Sequence, residues 1–348
     1  MESKYIYGII ETSEERLFNL SGADTYEDVY VISYQDIAAI VSYSQPVDYT
    51  TLYKEQLARR LLNHQQVIEK IMEFYYILPV KFGTHTANNQ EVKEILLRGY
   101  TKFKDIFKKI HNRIEMDVVA TWSNINSIVK EISEGEEVKE LKEEIISRHE
   151  GISVNDQLAV GRRIKQILDK KAERYSFEIE AALNKCSLNF RRHDLMDDKM
   201  IINEAFMIEK IRKDEFERTL DELNSRFGEG VNFRCVGPLP LYSFYTVEVK
   251  KISFEKVDRA RKVLCLGVRT SREEIIRAYR NRARLYHPDR NPDTLNAERQ
   301  FNEISRAYQI LLEYCLAAEQ SGNGDVYVNK KEPDEDAIIT KINIGGSK

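Results

Sequence analysis

Tyr286-His287-Pro288-Asp289-Arg290-Asn291-Pro292 lies between two stretches that each carry apolar residues at helical spacing, and its reading decides how the C-terminal part of the chain folds. Before it, Ser271 followed by Glu274 has the form of a capping box, worth about 1 kcal/mol to a helix start. Ile275, Ala278, Tyr279, Ala283 and Tyr286 then recur at steps of three and four. Pro288 lacks an N–H and bars His287 from the α region, so the helix is predicted to end at or near Tyr286. After the turn, Asn296 is the predicted N-cap, and Phe301, Ile304, Tyr308, Leu311 and Cys315 form a second stripe. Two such helices with a short connection bury both stripes only by packing antiparallel.

Together with a short leading helix predicted over Val257 to Leu266, this region closely resembles a J domain, the module by which DnaJ-type co-chaperones engage a DnaK-type chaperone. The resemblance covers residues 257–318 and rests on His287-Pro288-Asp289, on Ala278-Tyr279-Arg280, and on Phe301-x-x-Ile304-x-x-Ala307-Tyr308-x-x-Leu311. It implies that His287, Pro288 and Asp289 trigger ATP hydrolysis in the partner, while the basic face carrying Arg277, Arg280 and Arg284 docks on its acidic surface. Two features depart from the family. The turn Gly267 to Ser271 is shorter than most, and Asn281 and Arg282 stand where a basic residue and a core Leu are usual. Residues 251–315 hold fourteen Lys and Arg against nine Asp and Glu in a chain of net charge -4, so the module is basic on an acidic body.

A chain of 348 residues is long enough for two or three domains with their own cores. Hydrophobic content of 42% and charged content of 32% describe a folded protein with long exposed helices. No apolar run approaches the length of a membrane span, and Met1-Glu2-Ser3-Lys4 leads into a strand-like segment without a signal-peptide core, so a cytoplasmic chain is expected. Cys186, Cys235, Cys265 and Cys315 lie far apart with no Cys-x-x-Cys pair, which argues against a zinc site or redox motif. The near-balanced charge offers no broad basic surface for nucleic acid.

Upstream, Tyr5 to Ile10, Val29 to Ser33, Ile37 to Ser42 and Met116 to Trp122 read as strands, rich in β-branched and aromatic residues. Between them, Leu57, Leu61, His64, Ile68, Ile71 and Tyr75 mark a helix over Thr51 to Phe74, Tyr76 to Phe82 reads as extended around Pro79, and Gln90 to His111 reads as a second helix. The acidic and basic run over 134–144 suits a solvated helix or linker. It is followed by a longer helix whose stripe is Ile164, Leu168, Ala172, Tyr175, Ile179 and Leu183. Leu188 to Phe190, Met200 to Ile208, Val231 to Val236 and Tyr242 to Val249 read as strands and Lys213 to Phe227 as a helix, with the prolines of Gly237-Pro238-Leu239-Pro240 favouring an edge position. The expected fold is α+β. An N-terminal sheet domain spans 1–123, a helical, coiled-coil-like middle 124–187 and further strands 188–249, followed by a small all-α J-domain hairpin. The tail over 321–348 is expected to be mostly disordered, with only Ala337 to Ile344 apolar enough for a short docking strand. The charged join at Lys250 to Lys256 leads us to expect few contacts across it.

A second resemblance spans 1–249. Tyr5-Ile6-Tyr7-Gly8-Ile9, His64-Gln65-Gln66-Val67-Ile68, Leu78-Pro79-Val80-Lys81-Phe82-Gly83-Thr84 and Gly237-Pro238-Leu239-Pro240-Leu241-Tyr242-Ser243-Phe244 are similar to the hallmarks of the GvpL/GvpF gas vesicle family, in the family's order. The two proline motifs, with Leu78, Pro79, Phe82, Gly83, Gly237, Pro238, Pro240, Tyr242 and Phe244, carry most of it. The resemblance implies a minor shell-associated or assembly protein of gas vesicles, located in the cytoplasm at the vesicle.

His64 on its apolar stripe reads as a hydrogen-bonded core histidine, since no Cys or second His stands at ligand spacing. His85, His111, His149 and His193 are likewise isolated, and Asp197-Asp198 reads as a solvated turn pair. No nucleophile elbow, phosphate loop or dinucleotide fingerprint is found, so an enzyme, a metal and a cofactor are not expected. The expected partners are vesicle shell or accessory proteins and a DnaK-type chaperone, with no nucleic acid and no membrane. Two alternatives are a vesicle structural component whose J-like hairpin no longer engages a chaperone, and a general J-domain co-chaperone with an unrelated client.

Overall fold

Strand β1 (Lys4–Ile10) buries all seven of its residues, which requires partners on both edges and cover on both faces. The computed structural model describes residues 3–14, 17–18, 28–148, 151–268, 270–287, 297–320 and 337–344. They form two compact units, Met1–Lys109 with Tyr245–Ile344, and Ile110–Phe244.

In the first unit, β2 (Leu17–Phe18), β3 (Val29–Tyr34) and β4 (Ile37–Tyr43) lie antiparallel on one edge of β1, in the order β2-β3-β4-β1. Helix α1 (Lys54–Met72) buries His64, Val67, Ile68 and Ile71. Its apolar stripe takes effect only from His64 onward, because Leu61 is 49% exposed. The other edge of β1 is shared: β5 (Ile77–Pro79) pairs with Gly8 to Ile10, and β6 (His85–Thr86) with Lys4 and Tyr5. Helix α2 (Asn89–Ile110) follows, burying Val92, Ile95, Leu96, Phe103, Ile106 and Phe107.

The second unit opens with β7 (Arg113–Trp122), which the sequence reading groups with the N-terminal sheet. Its alternation, with Ile114, Met116, Val118, Ala120 and Trp122 buried, fixes the inward face but not the neighbours. Those neighbours come from far along the chain. Helices α3 (Ile125–Ser133), α4 (Glu136–Ser147) and α5 (Val154–Leu183) intervene, and β8 (Asn189–Arg192), β9 (Met200–Glu209), α6 (Lys213–Phe227) and β10 (Val231–Leu239) complete an antiparallel sheet of order β10-β7-β9-β8. The Asn124 and Ser153 side chains cap α3 and α5. Both α3 and α4 pack on α5, with Ile128, Ile132, Val138 and Ile145 buried, so the charged run over 134–144 contributes to a packed helix. The prolines place β10 at the sheet edge, and its register slips between Val236 and Leu239.

The chain then returns to the first unit with β11 (Tyr245–Ile252), α7 (Phe254–Val263), α8 (Arg272–Leu285), α9 (Ala297–Gln320) and β12 (Ala337–Ile344). Strand β12 pairs antiparallel with β11 over all eight residues, from Tyr245 opposite Ile344 to Ile252 opposite Ala337. The segment Ala337–Ile344, expected as a short docking strand, is one, because β11 presents an edge for it. The remaining tail positions lie outside the described residues.

The join is also more built than its charge predicts. Lys81 N–H donates to Val247 O at 2.8 Å beside a parallel bridge of Val80 with Val247, Lys81 pairs with Glu248 at 2.8 Å, and Lys251 pairs with Glu91 of α2. A cut near Lys250 would sever a strand rather than a linker. Deleting residues 337–348 should leave one edge of β11 unpaired, lower the melting temperature, and promote association through that edge. Size-exclusion chromatography over a concentration series checks this. Unchanged melting and concentration-independent elution would contradict the role given to β12.

Candidate functional site

The helical module after β11 packs around Ile252, Val257, Ala260, Leu264, Ile275, Ile304, Ala307, Leu311 and Cys315. The capping box at its centre is formed: Ser271 Oγ accepts from the Glu274 N–H at 3.2 Å, and Glu274 Oε2 accepts from the Ser271 N–H at 2.8 Å. That bond, with a second from Thr270, lowers the Glu274 carboxyl pKa. Tyr279 stacks on Tyr308 at 4.1 Å and 11°. His287 meets Phe301 edge-on at 5.4 Å. Residues later in α8 meet residues earlier in α9, so the two helices run antiparallel.

His287 is half-buried against Phe301 rather than fully exposed. Pro288 and Asp289 lie outside the described residues. Arg277, Arg280 and Arg284 are all exposed on α8, where steps of three and four put them on one face.

Arg282, where a core Leu is usual, takes a role that the sequence reading missed. Its guanidinium donates to Val263 O and lies 3.2 Å from Cys265 Sγ. From the other side, Arg261 Nη1 donates to Leu266 O at 2.8 Å, with Cys265 at φ 55° between them. Two cations thus satisfy carbonyls freed at the end of α7, where the dipole also favours positive charge. A Leu at 282 would not make the bond to Val263 O.

The first proline motif connects β5 to β6. Leu78 and Pro79 are buried in β5, and the chain then turns through Phe82 and Gly83. Gly83 has φ +84°, and a Cβ there would stand 3.0 Å from the Tyr49 ring. Its N–H donates to Tyr5 Oη at 3.2 Å, and the same hydroxyl pairs with His64 Nδ1 at 2.8 Å. His64 stacks on Tyr7 at 5.6 Å and touches the Phe82 ring at 5.5 Å. His85 pairs with the Tyr49 hydroxyl at 3.1 Å. Among the described residues, no group of three His, Cys, Asp or Glu side chains could hold a metal ion.

The second motif closes the other unit. A Cβ on Gly237 would stand 2.5 Å from Met116 Sδ and 2.9 Å from Glu115 O, so only glycine allows this approach. Pro240, Leu241 and Phe244 are buried and Tyr242 half-buried, and the segment is a turn, with Phe244 N–H donating to Leu241 O at 3.2 Å. The strand expected from Tyr242 begins only at Tyr245. The turn is held by Ser243, whose N–H and hydroxyl donate to Glu115 at 2.9 and 2.8 Å. Burial, with Asp117 alongside, pushes the Glu115 carboxyl above the usual range. Asp197 accepts from the Lys199 N–H at 2.9 Å and Asp198 from Lys165 at 2.7 Å, as a turn pair should.

Burial lowers the His64 pKa to about 4. The folded value lies below the unfolded one, so the unfolded chain binds more protons between about pH 4 and 6.5 and stability is lost as pH falls through that window. The full effect is about 3 kcal/mol. Urea unfolding of wild type and His64→Gln at intervals from pH 7 to 4 should show the steeper loss in wild type, and parallel profiles would rule it out.

The sequence model described as "Gas vesicle synthesis protein GvpL/GvpF" matches residues 3–246, and that of the DnaJ domain matches 252–314. Gas vesicle protein F of Haloferax mediterranei is 20% identical over 71% of this chain and 95% of its own length. The protein of that name from Microcystis aeruginosa is 24% identical over 56% and 82%. A chaperone protein DnaJ from Cupriavidus pinatubonensis is 44% identical over 69 residues, 19% of this chain and 18% of that protein. The crystal structure of GvpF from Anabaena superposes with a TM-score of 0.59 at 21% identity, covering 70% of this chain and 98% of that one, and shares the fold.

Proposed function

We propose that this chain, which belongs to the gas vesicle synthesis protein GvpL/GvpF family, holds vesicle shell or accessory proteins during assembly and brings a DnaK-type chaperone to them through its J domain. The observation that carries the chaperone part is the helical hairpin itself, with His287 at the end of a helix whose exposed face carries Arg277, Arg280 and Arg284. His287, Pro288 and Asp289 act as the trigger, and the arginines as the docking face. No helix of the described residues is long and apolar enough to cross a membrane.

The physical case for joining the two functions is one of concentration. An apolar shell subunit aggregates unless its surface is held or passed on before polymerising. A chaperone-docking module on the holding chain raises the local chaperone concentration without any further contact. The first proline motif and the hairpin belong to one compact unit, tied by Lys81 to Val247 and Glu248.

His287→Gln should change stability by no more than about 1 kcal/mol, the scale of one aromatic edge contact. It should nonetheless remove stimulation of ATP hydrolysis by a DnaK-type chaperone from the same organism, measured in single turnover. Arg280→Glu should weaken stimulation and flatten its salt dependence, since an exposed basic face is screened by ions. Equal hydrolysis rates with wild type and His287→Gln would replace the chaperone reading with that of a vesicle structural component. Co-purification with a broad client set, and no vesicle protein, would favour a general co-chaperone.

A further inference from the structure

Glu180 of α5, Arg192 of β8 and Glu204 of β9 meet in the second unit, and their charges do not balance. Both carboxyls are buried, Glu180 at 7% exposure and Glu204 at 2%. Arg192 donates to Glu180 through Nε at 3.0 Å and Nη2 at 2.5 Å, and its Nε lies 3.4 Å from Glu204 Oε1. Ser176, one turn earlier on α5, adds a hydroxyl to Glu180 at 3.0 Å. Glu204 lacks such donors: its Oε2 accepts a hydrogen bond from no described residue, and the carboxyl shares one with Glu180. A hydrogen bond between two carboxyls needs a proton on one of them. Glu180, served by the guanidinium fork and the hydroxyl, is the better-supported anion, so the proton resides on Glu204.

The two groups therefore shift in opposite directions. Burial, then the bond to Glu180 and its charge, push Glu204 up to about 8. Burial also acts to raise Glu180, but the bonds from Arg192, Glu204 and Ser176 outweigh it and leave its pKa below the usual carboxyl value. Glu204 binds its proton more tightly in the folded chain than in the unfolded one, so the stability it carries is lost as pH rises through that value, while Glu180 stays ionised throughout. Once the proton leaves, two carboxylates face each other with one cation, whose side chain is 66% exposed and screened by water. A cleft of about 770 Å³ between α5 and the segment from β8 to β9, lined by all three residues and by Trp122, gives water room to enter. The other charged groups around it are engaged elsewhere: Lys165 with Asp169 and Asp198, Asp197 with the Lys199 N–H, and His193 with Ser243, while Glu173 is exposed. Strand β7 sets Val118 opposite Glu204 and has no titratable group on that face, and α6 meets α5 through Arg226 on Glu178 at 2.9 Å.

We propose that the seam between α5 and β9 is a latch worked by one proton: shared by Glu204 and Glu180 beside Arg192 it holds the helix on the sheet, and its loss lets the C-terminal half of α5 lift as the cleft fills with water. Because α3 and α4 pack on α5, a change at this seam reaches the helical layer of the unit. The latch does not depend on which partner the chain holds.

Trp122, the only tryptophan of the chain, packs on Tyr175 of α5 with ring centroids 5.2 Å apart, so its emission reports whether helix and sheet stay in contact. The full-length protein is titrated from pH 6 to 9, short of the tyrosine range at about 10. Wild type should show a one-proton shift of emission to longer wavelength with a midpoint at about 8, at constant far-ultraviolet circular dichroism. Glu204→Gln keeps a donor to Glu180 but has no proton to lose, so its emission should stay at the acid-side value. Glu180→Gln removes the opposing carboxylate, so Glu204 ionises beside Arg192 without repulsion and no transition is expected; this variant keeps the test sound if the first folds poorly. A flat wild-type profile, a transition accompanied by loss of helix signal, or one that persists at the same midpoint in either folded variant would overturn the latch.

Discussion

Much of the first unit follows from the way the second edge of β1 is satisfied. A strand buried along its whole length needs a ladder on both sides, yet β5 reaches only Gly8 to Ile10 and β6 only Lys4 and Tyr5. The chain must leave the sheet and re-enter within a few residues. Phe82 and Gly83 make that excursion, with Gly83 at a left-handed φ and its N–H bonded to Tyr5 of the strand it serves. Tyr5 in turn needs His64, which explains a histidine on the apolar stripe of α1. The Tyr-Ile-Tyr-Gly, His-Gln-Gln and Leu-Pro-Val-Lys-Phe-Gly motifs are thus three parts of one local solution.

The same excursion makes the attachment point for the helical module. Lys81, freed from the β1 ladder, donates to Val247 and pairs with Glu248, which places β11 beside the turn. Strand β11 runs into α7 within two residues, and β12 pairs back along it after α9. The hairpin is therefore inserted between two paired strands rather than strung on a flexible linker. At the end of α7, Arg282 and Arg261 supply donors to the Val263 and Leu266 carbonyls.

Local features of this architecture were legible and distant pairings were not. The capping box at Ser271, the stripe from Phe301 to Cys315 and the core role of His64 each depend on residues within a turn or two, and periodicity reports them. Grouping β7 with the N-terminal sheet failed because its partners β9 and β10 lie beyond three helices, and alternation carries no record of which strand is the neighbour. Ala337 to Ile344 was readable as apolar and extended, but not its partner β11. The Arg282 substitution read as a departure from a pattern. Only the placement of Val263 O and Cys265 shows it as a replacement of packing by hydrogen bonding.

Glu115 and Glu204 show why burial alone does not mark a site. Both sit on adjacent strands of one sheet, are nearly inaccessible, and have pKa values raised first by desolvation. Glu115 accepts from the Ser243 N–H and hydroxyl, one on each oxygen, so its burial is matched by bonds that pin the second proline motif. Glu204 sits 3.4 Å from Arg192 through one oxygen and shares a carboxyl–carboxyl hydrogen bond with Glu180. The first carboxyl is spent within the fold. The second is spent there too: it shares Arg192 with Glu180, and burial together with the neighbouring Glu180 pushes it toward its protonated form, so that two buried carboxyls are carried by one cation.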